Sequence, residues 1–227
     1  MVTKRIVCLA NSRKLSGRCV AGREFQDGRA GAWIRPVSAR PNEEVSEYER
    51  QYEDGSDPRV LDVIDVPLLE HRPKHYQQEN WLLDPDYYWK RVDHLAWLAL
   101  VRLVERPDSL WINGHSTYHG SNDQIPITVA EGVESSLVLI RVDSLHLQVF
   151  NPGAAFGNPK RRVQARFAYS GQNYHLYVTD PVIERSYLAQ GDGVYNIGES
   201  CLAISLGEPF KDNCYKLVAA IISRQTE

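Results

Sequence analysis

No stretch of the chain approaches the roughly 20 consecutive apolar residues that a membrane span needs. The N-terminus runs from Lys4 and Arg5 straight into a short strand-like segment, with no long apolar leader. Both absences point to a cytoplasmic protein. Cysteine is sparse: Cys8, Cys19, Cys201 and Cys214 form none of the close pairs that zinc ribbons or redox motifs use, so they read as buried free thiols. Positive charge is short too, with 26 Lys and Arg against 29 Asp and Glu for a formal net charge of −3. That balance argues against a protein that coats nucleic acid by bulk electrostatics, because nonspecific affinity comes mainly from neutralising phosphates; any basic surface has to be local. There is no Gly-rich phosphate loop and no Gly-x-Ser-x-Gly elbow, which removes the usual support for nucleotide hydrolysis and esterase chemistry. His71 and His75 stand at helical spacing, but Pro73 between them breaks the helix they would need, so no metal site and no cofactor is expected. Solenoid or propeller periods and low-complexity tracts are likewise missing.

What is present is an ordinary globular composition, 43% hydrophobic and 24% charged over 227 residues, enough for one or two cores. Alternating or wholly apolar short runs rich in β-branched residues predict strands over residues 5–9, 17–23, 32–37, 60–69, 137–150, 163–169, 174–179, 201–206 and 214–223. Residues 84–104 predict a helix, with Asp93 as N-cap for Leu95, Leu98 and Val101 and with Pro107 as its stop. Residues 107–134, with Asn113-Gly114, Gly120, Asn122-Asp123 and Pro126, are polar and turn-rich. The Ser170-Gly171 step between two alternating strands predicts a hairpin. The fold class expected is mostly β with a few helices. Two small closed barrels, one over residues 1–110 with its helices and one over 135–227, flank a connector at 111–134; a continuous β-sandwich is the alternative.

Several segments carry chemistry. Asn11, Ser12, Arg13 and Lys14 follow a buried strand, and Arg18 lies just beyond; such a loop can hold a phosphate or a base edge, or simply be a solvated hairpin. Trp33 and Arg35 alternate on one strand face, which suits a stacked base or a Trp packed beneath its own barrel. Glu79, Asn80 and Trp81 combine carboxylate, amide and indole in one short span, either as a pocket wall or as packing. Asp62 and Asp65 are three apart on an apolar strand and so point to opposite faces; one of them, desolvated, could activate water, or could pair with an arginine. Lys160, Arg161 and Arg162 lead into a strand on which Arg162, Gln164 and Arg166 share a face, the best phosphate-tracking stretch in the chain or a charged strand edge. Asp180 before Pro181 reads as turn chemistry.

The segments Ile6-Val7-Cys8-Leu9-Ala10-Asn11-Ser12, Gly17-Arg18-Cys19-Val20-Ala21-Gly22, Trp33-Ile34-Arg35-Pro36-Val37-Ser38, Glu79-Asn80-Trp81 and Ser205-Leu206-Gly207-Glu208-Pro209-Phe210 run nearly end to end through the chain. In that order they resemble the bacterial dual OB domain-containing proteins, a family named for two oligonucleotide-binding barrels and associated with phage-defence loci. The resemblance implies two OB-like barrels and a role in sensing or attacking foreign nucleic acid. A further resemblance, to bacterial antiphage DNA glycosylases that excise modified cytosines from phage DNA, implies a metal-independent enzyme that flips a base into a pocket. On that scheme Trp33 and Trp81 stack the base and Asn11, Ser12 and Asn80 bind its edge. Asp62 or Glu79 activates water, while Arg18, Arg35, Lys160, Arg161 and Arg162 contact phosphate. The competing expectations are a non-catalytic nucleic-acid sensor and a scaffold that recruits another effector. The expected partner is nucleic acid, DNA before RNA, and not a membrane.

Overall fold

In the computed structural model, which describes residues 1–224, the first apolar run becomes a strand of 13 residues, β1 (Val2–Lys14), long enough to serve two neighbours. After it come β2 (Gly17–Gln26), β3 (Arg29–Val37), the one-turn helix α1 (Glu47–Arg50), β4 (Asp62–His71) and β5 (Asn80–Leu83). The first half of β1 pairs with β4, from Val2 opposite Leu68 to Val7 opposite Val63, and the second half pairs with β2 as far as Lys14 opposite Gly17. The register slips between Cys8 and Ala10, the irregularity that lets one strand turn from one neighbour to the other. The ring closes as β1-β2-β3-β5-β4 and back to β1, with β3 and β5 parallel. Inside it pack Ile6, Cys8, Val20, Ile34, Ile64, Val66, Leu68 and Trp89. These strands lie in the first of two compact units, Met1–Leu103 with Glu134–Ser136.

The second unit, Val104–Val133 with residues 137–224, repeats the same circuit. The elements between are β6 (Lys90–His94), α2 (Trp97–Leu100), β7 (Gln124–Pro126) and α3 (Ile127–Ala130). Then follow β8 (Leu137–Phe150), β9 (Arg162–Tyr169), β10 (Gln172–Val178), α4 (Pro181–Gln190), β11 (Gly193–Leu206) and β12 (Asn213–Ser223). Here the ring runs β8-β9-β10-β12-β11 and back to β8, and β10 and β12 are its parallel pair. Each unit is therefore a closed five-stranded barrel in the order one-two-three-five-four, the arrangement of the oligonucleotide-binding barrel. Strands take 51% of the chain and helices 13%, so the expectation of a mostly β chain with two small barrels holds.

Local chemistry explains the joints. Asp27-Gly28 and Ser170-Gly171 both carry positive φ at both positions, as a two-residue hairpin turn of the right twist demands. Asp180 caps α4 by accepting hydrogen bonds from the backbone N–H groups of Val182 and Ile183, with Pro181 in the first turn. In the second barrel Lys216, only 1% exposed, donates from Nζ to the Ile112 carbonyl at 2.5 Å and lies over the Tyr174 ring. The segment around Leu110, itself fully buried, thus packs against the barrel interior.

Two local expectations fail. The helix over 84–104 is replaced by β6 and by two short turns, α2 and the 3-10 turn Val101–Leu103. Asp93, read as a cap, sits in β6 opposite Val63, and Ala96 takes the capping position. Leu98 is 75% exposed, so its apparent helical stripe has no core to face. Pairing of residues 90–94 with the open side of β4 outweighs the local pattern. Asn11, Ser12, Arg13 and Lys14 are not a loop either: they continue β1, because β2 pairs with them, and the turn is only Leu15 and Ser16.

Candidate nucleic-acid interface

Arg35, Glu79 and Asn80 come together because β3 and β5 run parallel with Arg35 opposite Asn80. The Arg35 Nη2 lies 2.8 Å from Glu79 Oε1 and donates to Ser136 Oγ at 2.7 Å, and its Nη1 reaches Asn80 Oδ1 at 3.3 Å. Ser136 in turn donates to Glu79, and Asn80 donates from Nδ2 to Gln77 Oε1. The two charged side chains are 4% and 3% exposed. As they stand, Arg35 is an internal counter-ion, Glu79 its partner, and Asn80 the amide that completes the network; for any of them to touch a ligand, that network has to open.

The other first-barrel candidates are also held from within. Asn11 donates from Nδ2 to the Pro58 carbonyl, and the buried Ser12 hydroxyl donates to the Cys19 carbonyl. The backbone of Arg18 bridges Val45 in both directions. Trp33 is buried, with the Arg23 guanidinium 5.9 Å from its ring. Trp81 is half-buried, with the Lys4 ammonium 4.6 Å from its ring centroid and the His71 ring 5.0 Å away. On β1, β2 and β3, Val7, Leu9, Ala21, Trp33 and Arg35 alternate with the interior residues, and all are buried. In the first barrel the middle of the face made by the first three strands is therefore buried, while Arg5 at its edge stays half-exposed.

Asp62 differs from Glu79 in what it meets. Its Oδ2 accepts from the Tyr52 hydroxyl at 2.8 Å and from the Arg59 backbone N–H at 2.9 Å, while Oδ1 lies 3.3 Å from Nδ1 of His94, a side chain 50% exposed. Burial, then the bond and charge of Asp62, push the Tyr52 phenol well above its ordinary pKa, so it stays a donor. A cleft of about 410 Å³ lined by Tyr52, Tyr88, Trp89 and Arg91 opens beside it. A buried carboxylate here orients an accessible imidazole.

In the second barrel the corresponding face is partly open: its residues are half-buried, save Gln164, which is buried. On β8, β9 and β10 the interior residues Leu145, Leu147, Val149, Val163, Ala165, Tyr174 and Leu176 alternate with His146, Gln148, Phe150, Arg162, Gln164, Arg166, His175 and Tyr177. Register aligns them in rows: His146, Arg166 and His175 across the three strands, then Gln148, Gln164 and Tyr177. The Arg162 guanidinium lies 5.3 Å from the Tyr177 ring centroid. Burial, then the Arg166 charge, lowers the His175 pKa, so at neutral pH it offers a ring rather than a cation. Lys160 is exposed at the entry to β9. Arg161 is otherwise engaged, with Nε 2.6 Å from Asp192 and Nη1 donating to the Leu188 carbonyl in the last turn of α4.

Residues 113–123, expected as part of a connector, lie along this face. Ser121 bridges His175 through paired backbone bonds, the His119 carbonyl accepts from Gln164 Nε2 at 2.7 Å, and Asp123 accepts from both the backbone and the hydroxyl of Thr117. This brings His119 against Phe150, with Tyr118 edge-on to His119. Those two, together with Phe150, Tyr177, His146 and His175, are the residues sequence reasoning missed. Alternation in β8 and β10 could have placed the strand residues outward, but only the cross-strand register puts them beside Arg162 and Arg166.

A family model described as a dual OB-containing domain matches residues 4–221. No curated protein and no solved structure gives a match.

Proposed function

The chain belongs to the dual OB-containing domain family, and from that premise we propose that it binds DNA in the cytoplasm on the outer face of β8, β9 and β10. Barrels of this kind take oligonucleotides on the face of their second and third strands, between the loops that join strands one to two and four to five. In the second barrel those strands are β9 and β10, and Lys160 and Arg161 end the loop that joins β8 to β9. One observation carries the reading. Arg162 and Arg166 stand half-exposed on the outer face of β9, interleaved with rings, in a protein whose net charge is −3. The free thiols at Cys8, Cys19, Cys201 and Cys214 suit a reducing compartment.

Fluorescence anisotropy with labelled DNA tests it. Binding should weaken as salt rises, and the Arg162→Glu/Arg166→Glu double variant should bind at least about 10-fold more weakly, with the log–log salt slope reduced by about two. Binding indifferent to salt counts against the proposal.

A second reading, excision of a modified base from phage DNA, draws its support from Asp62. Glu79 is committed to Arg35, whereas Asp62 touches a half-exposed His94 beside a cleft. In such a reaction water adds to the sugar C1′ as the N-glycosidic bond breaks, its proton passing to His94 and from there to solvent, and the departing base anion takes up one proton from solvent. Purified protein should then release free bases from phage-modified DNA, detected by mass spectrometry, and Asp62→Asn should stop the release. DNA that survives alkaline treatment intact after incubation removes the enzymatic reading and leaves the binding one.

A further inference from the structure

Two imidazoles flank one guanidinium on the second barrel. Register sets His146 of β8 opposite Arg166 of β9, and Arg166 opposite His175 of β10, all three pointing away from the interior. They are half-buried and line a single cleft of about 410 Å³, together with Ser144 and Asn173. Neighbouring strands lie about 4.8 Å apart, so the backbones of the two histidines are roughly 10 Å apart with the arginine between them.

The barrel interior does not use this row, yet the row is held in place. Arg166 donates from Nε to Gln164 Oε1 at 3.1 Å, and Gln164 is itself fixed by its bond to the His119 carbonyl, so the guanidinium is aimed and its two terminal amino groups are left over. The backbone of His175 is pinned by its paired bonds to Ser121. Burial, then the Arg166 charge, holds His175 neutral against the weaker pull of Asp123. Asp143, exposed, is the acid that lines the cleft beside His146. Cationic and imidazole groups set side by side on adjacent strands repel once protonated, and an anion among them relieves that.

We propose that His146, Arg166 and His175 form a site that cleaves RNA by transfer of a phosphodiester to the neighbouring ribose 2′-oxygen. With the phosphate on Arg166, His175 takes the proton of the 2′-hydroxyl, and the 2′-oxygen forms a bond to phosphorus. The bond from phosphorus to the 5′-oxygen breaks, and that oxygen leaves with a proton from His146. The products are a 2′,3′-cyclic phosphate and a 5′-hydroxyl, and both imidazoles return to their starting forms by exchange with solvent. In such a displacement the entering and leaving oxygens stand on opposite sides of phosphorus, which calls for one proton carrier on each side and a cation over the remaining oxygens. The row has that order, and the neutral His175 suits the base. The proposal goes beyond the binding reading above and rests on it for bringing a nucleic-acid backbone to this face. A DNA strand there is held and not cut, because it has no 2′-hydroxyl.

The test incubates the full chain with a uridine decamer, its 2′-O-methyl form and a thymidine decamer, reads the fragments by mass spectrometry, and measures thymidine-decamer affinity by anisotropy on the same samples. The wild type should cut the uridine decamer alone, giving ends with a 2′,3′-cyclic phosphate, at a rate that passes through a maximum with pH. His146→Gln and His175→Gln should each slow cleavage by about 10²–10⁴-fold, far more than they weaken thymidine-decamer binding, and Arg166→Ala should lower both. Circular dichroism verifies that the variants keep the fold. An uncut uridine decamer, cutting of the 2′-O-methyl form, fragments ending in a 3′-hydroxyl, or cleavage that persists in the His146→Gln/His175→Gln double variant overturns the proposal. Thymidine-decamer binding without cleavage of the uridine decamer leaves the binding reading standing. Cleavage of the uridine decamer with no thymidine-decamer binding at low salt supports the site and removes the assignment to DNA.

Discussion

Glu79, beside amides and an indole, and Asp62, on an apolar strand, are both candidate acids in the sequence, and the fold gives them different surroundings. Glu79 is spent on Arg35 and Ser136 in a dry network, so removing it strands a buried guanidinium. Glu79→Ala should cost about 3–5 kcal/mol in urea denaturation, a loss that tracks stability and not ligand binding. Lys216 is the second buried charge with a measurable consequence. Burial lowers its pKa from 10.5 to about 8, against a smaller opposing pull from Asp123. The unfolded chain therefore binds more protons than the folded one between pH 8 and 10.5, and this group makes stability rise with pH across that window. Comparing wild type with Lys216→Met by denaturant midpoint at pH 7 and pH 10 isolates the effect: the wild-type midpoint should rise relative to the variant's as pH rises. A difference that stays constant over that range would show that Lys216 does not titrate there. Neither residue's environment is legible in the chain, since Glu79 meets Ser136 across 57 positions and Lys216 meets Ile112 across 104.

At the scale of elements, the strands with strong alternation are the ones the sequence predicts well, and β8, β9 and β10 are the clearest. Lys160, Arg161 and Arg162 are readable there as a basic entry to a strand, though the division of labour among them is not: Arg161 turns to α4, while Arg162 lies over Tyr177. The misreadings lie where local pattern competes with pairing. Residues 90–94 have no apolar face, and they become a strand only because β4 offers a free side. The loop at residues 113–123 reads as a polar connector because its order comes from Asp123, Thr117 and the approach of Gly120, contacts that composition does not encode. Gly120→Ala forces the Asp123 carboxylate aside, so it should destabilise the protein by about 1–3 kcal/mol and weaken DNA binding by displacing the loop that lies on β9 and β10, although Gly120 touches no ligand. Anisotropy and a melting curve on the same sample check both halves; unchanged binding would separate the loop from the interface.

For the whole molecule, net charge and closure set the limits. A chain of net charge −3 has no field with which to coat a polyanion, and the strand face that is half-open in the second barrel is buried through its middle in the first. Titration of the full chain with a short single strand should therefore saturate at one decamer per chain, readable by native mass spectrometry; two per chain would mean that the first barrel binds as well. The mostly β class, the two groups of strands, the hairpin at Ser170-Gly171 and the local basic strand were determined by the sequence alone, because alternation, turn residues and charge are properties of near neighbours. Which acid is buried with a cation, which loop lies on which strand, and which ring meets which cation were decided only by the tertiary structure. Ring closure brings together residues far apart in the chain, and the register between strands, not the order along them, chooses what each side chain meets.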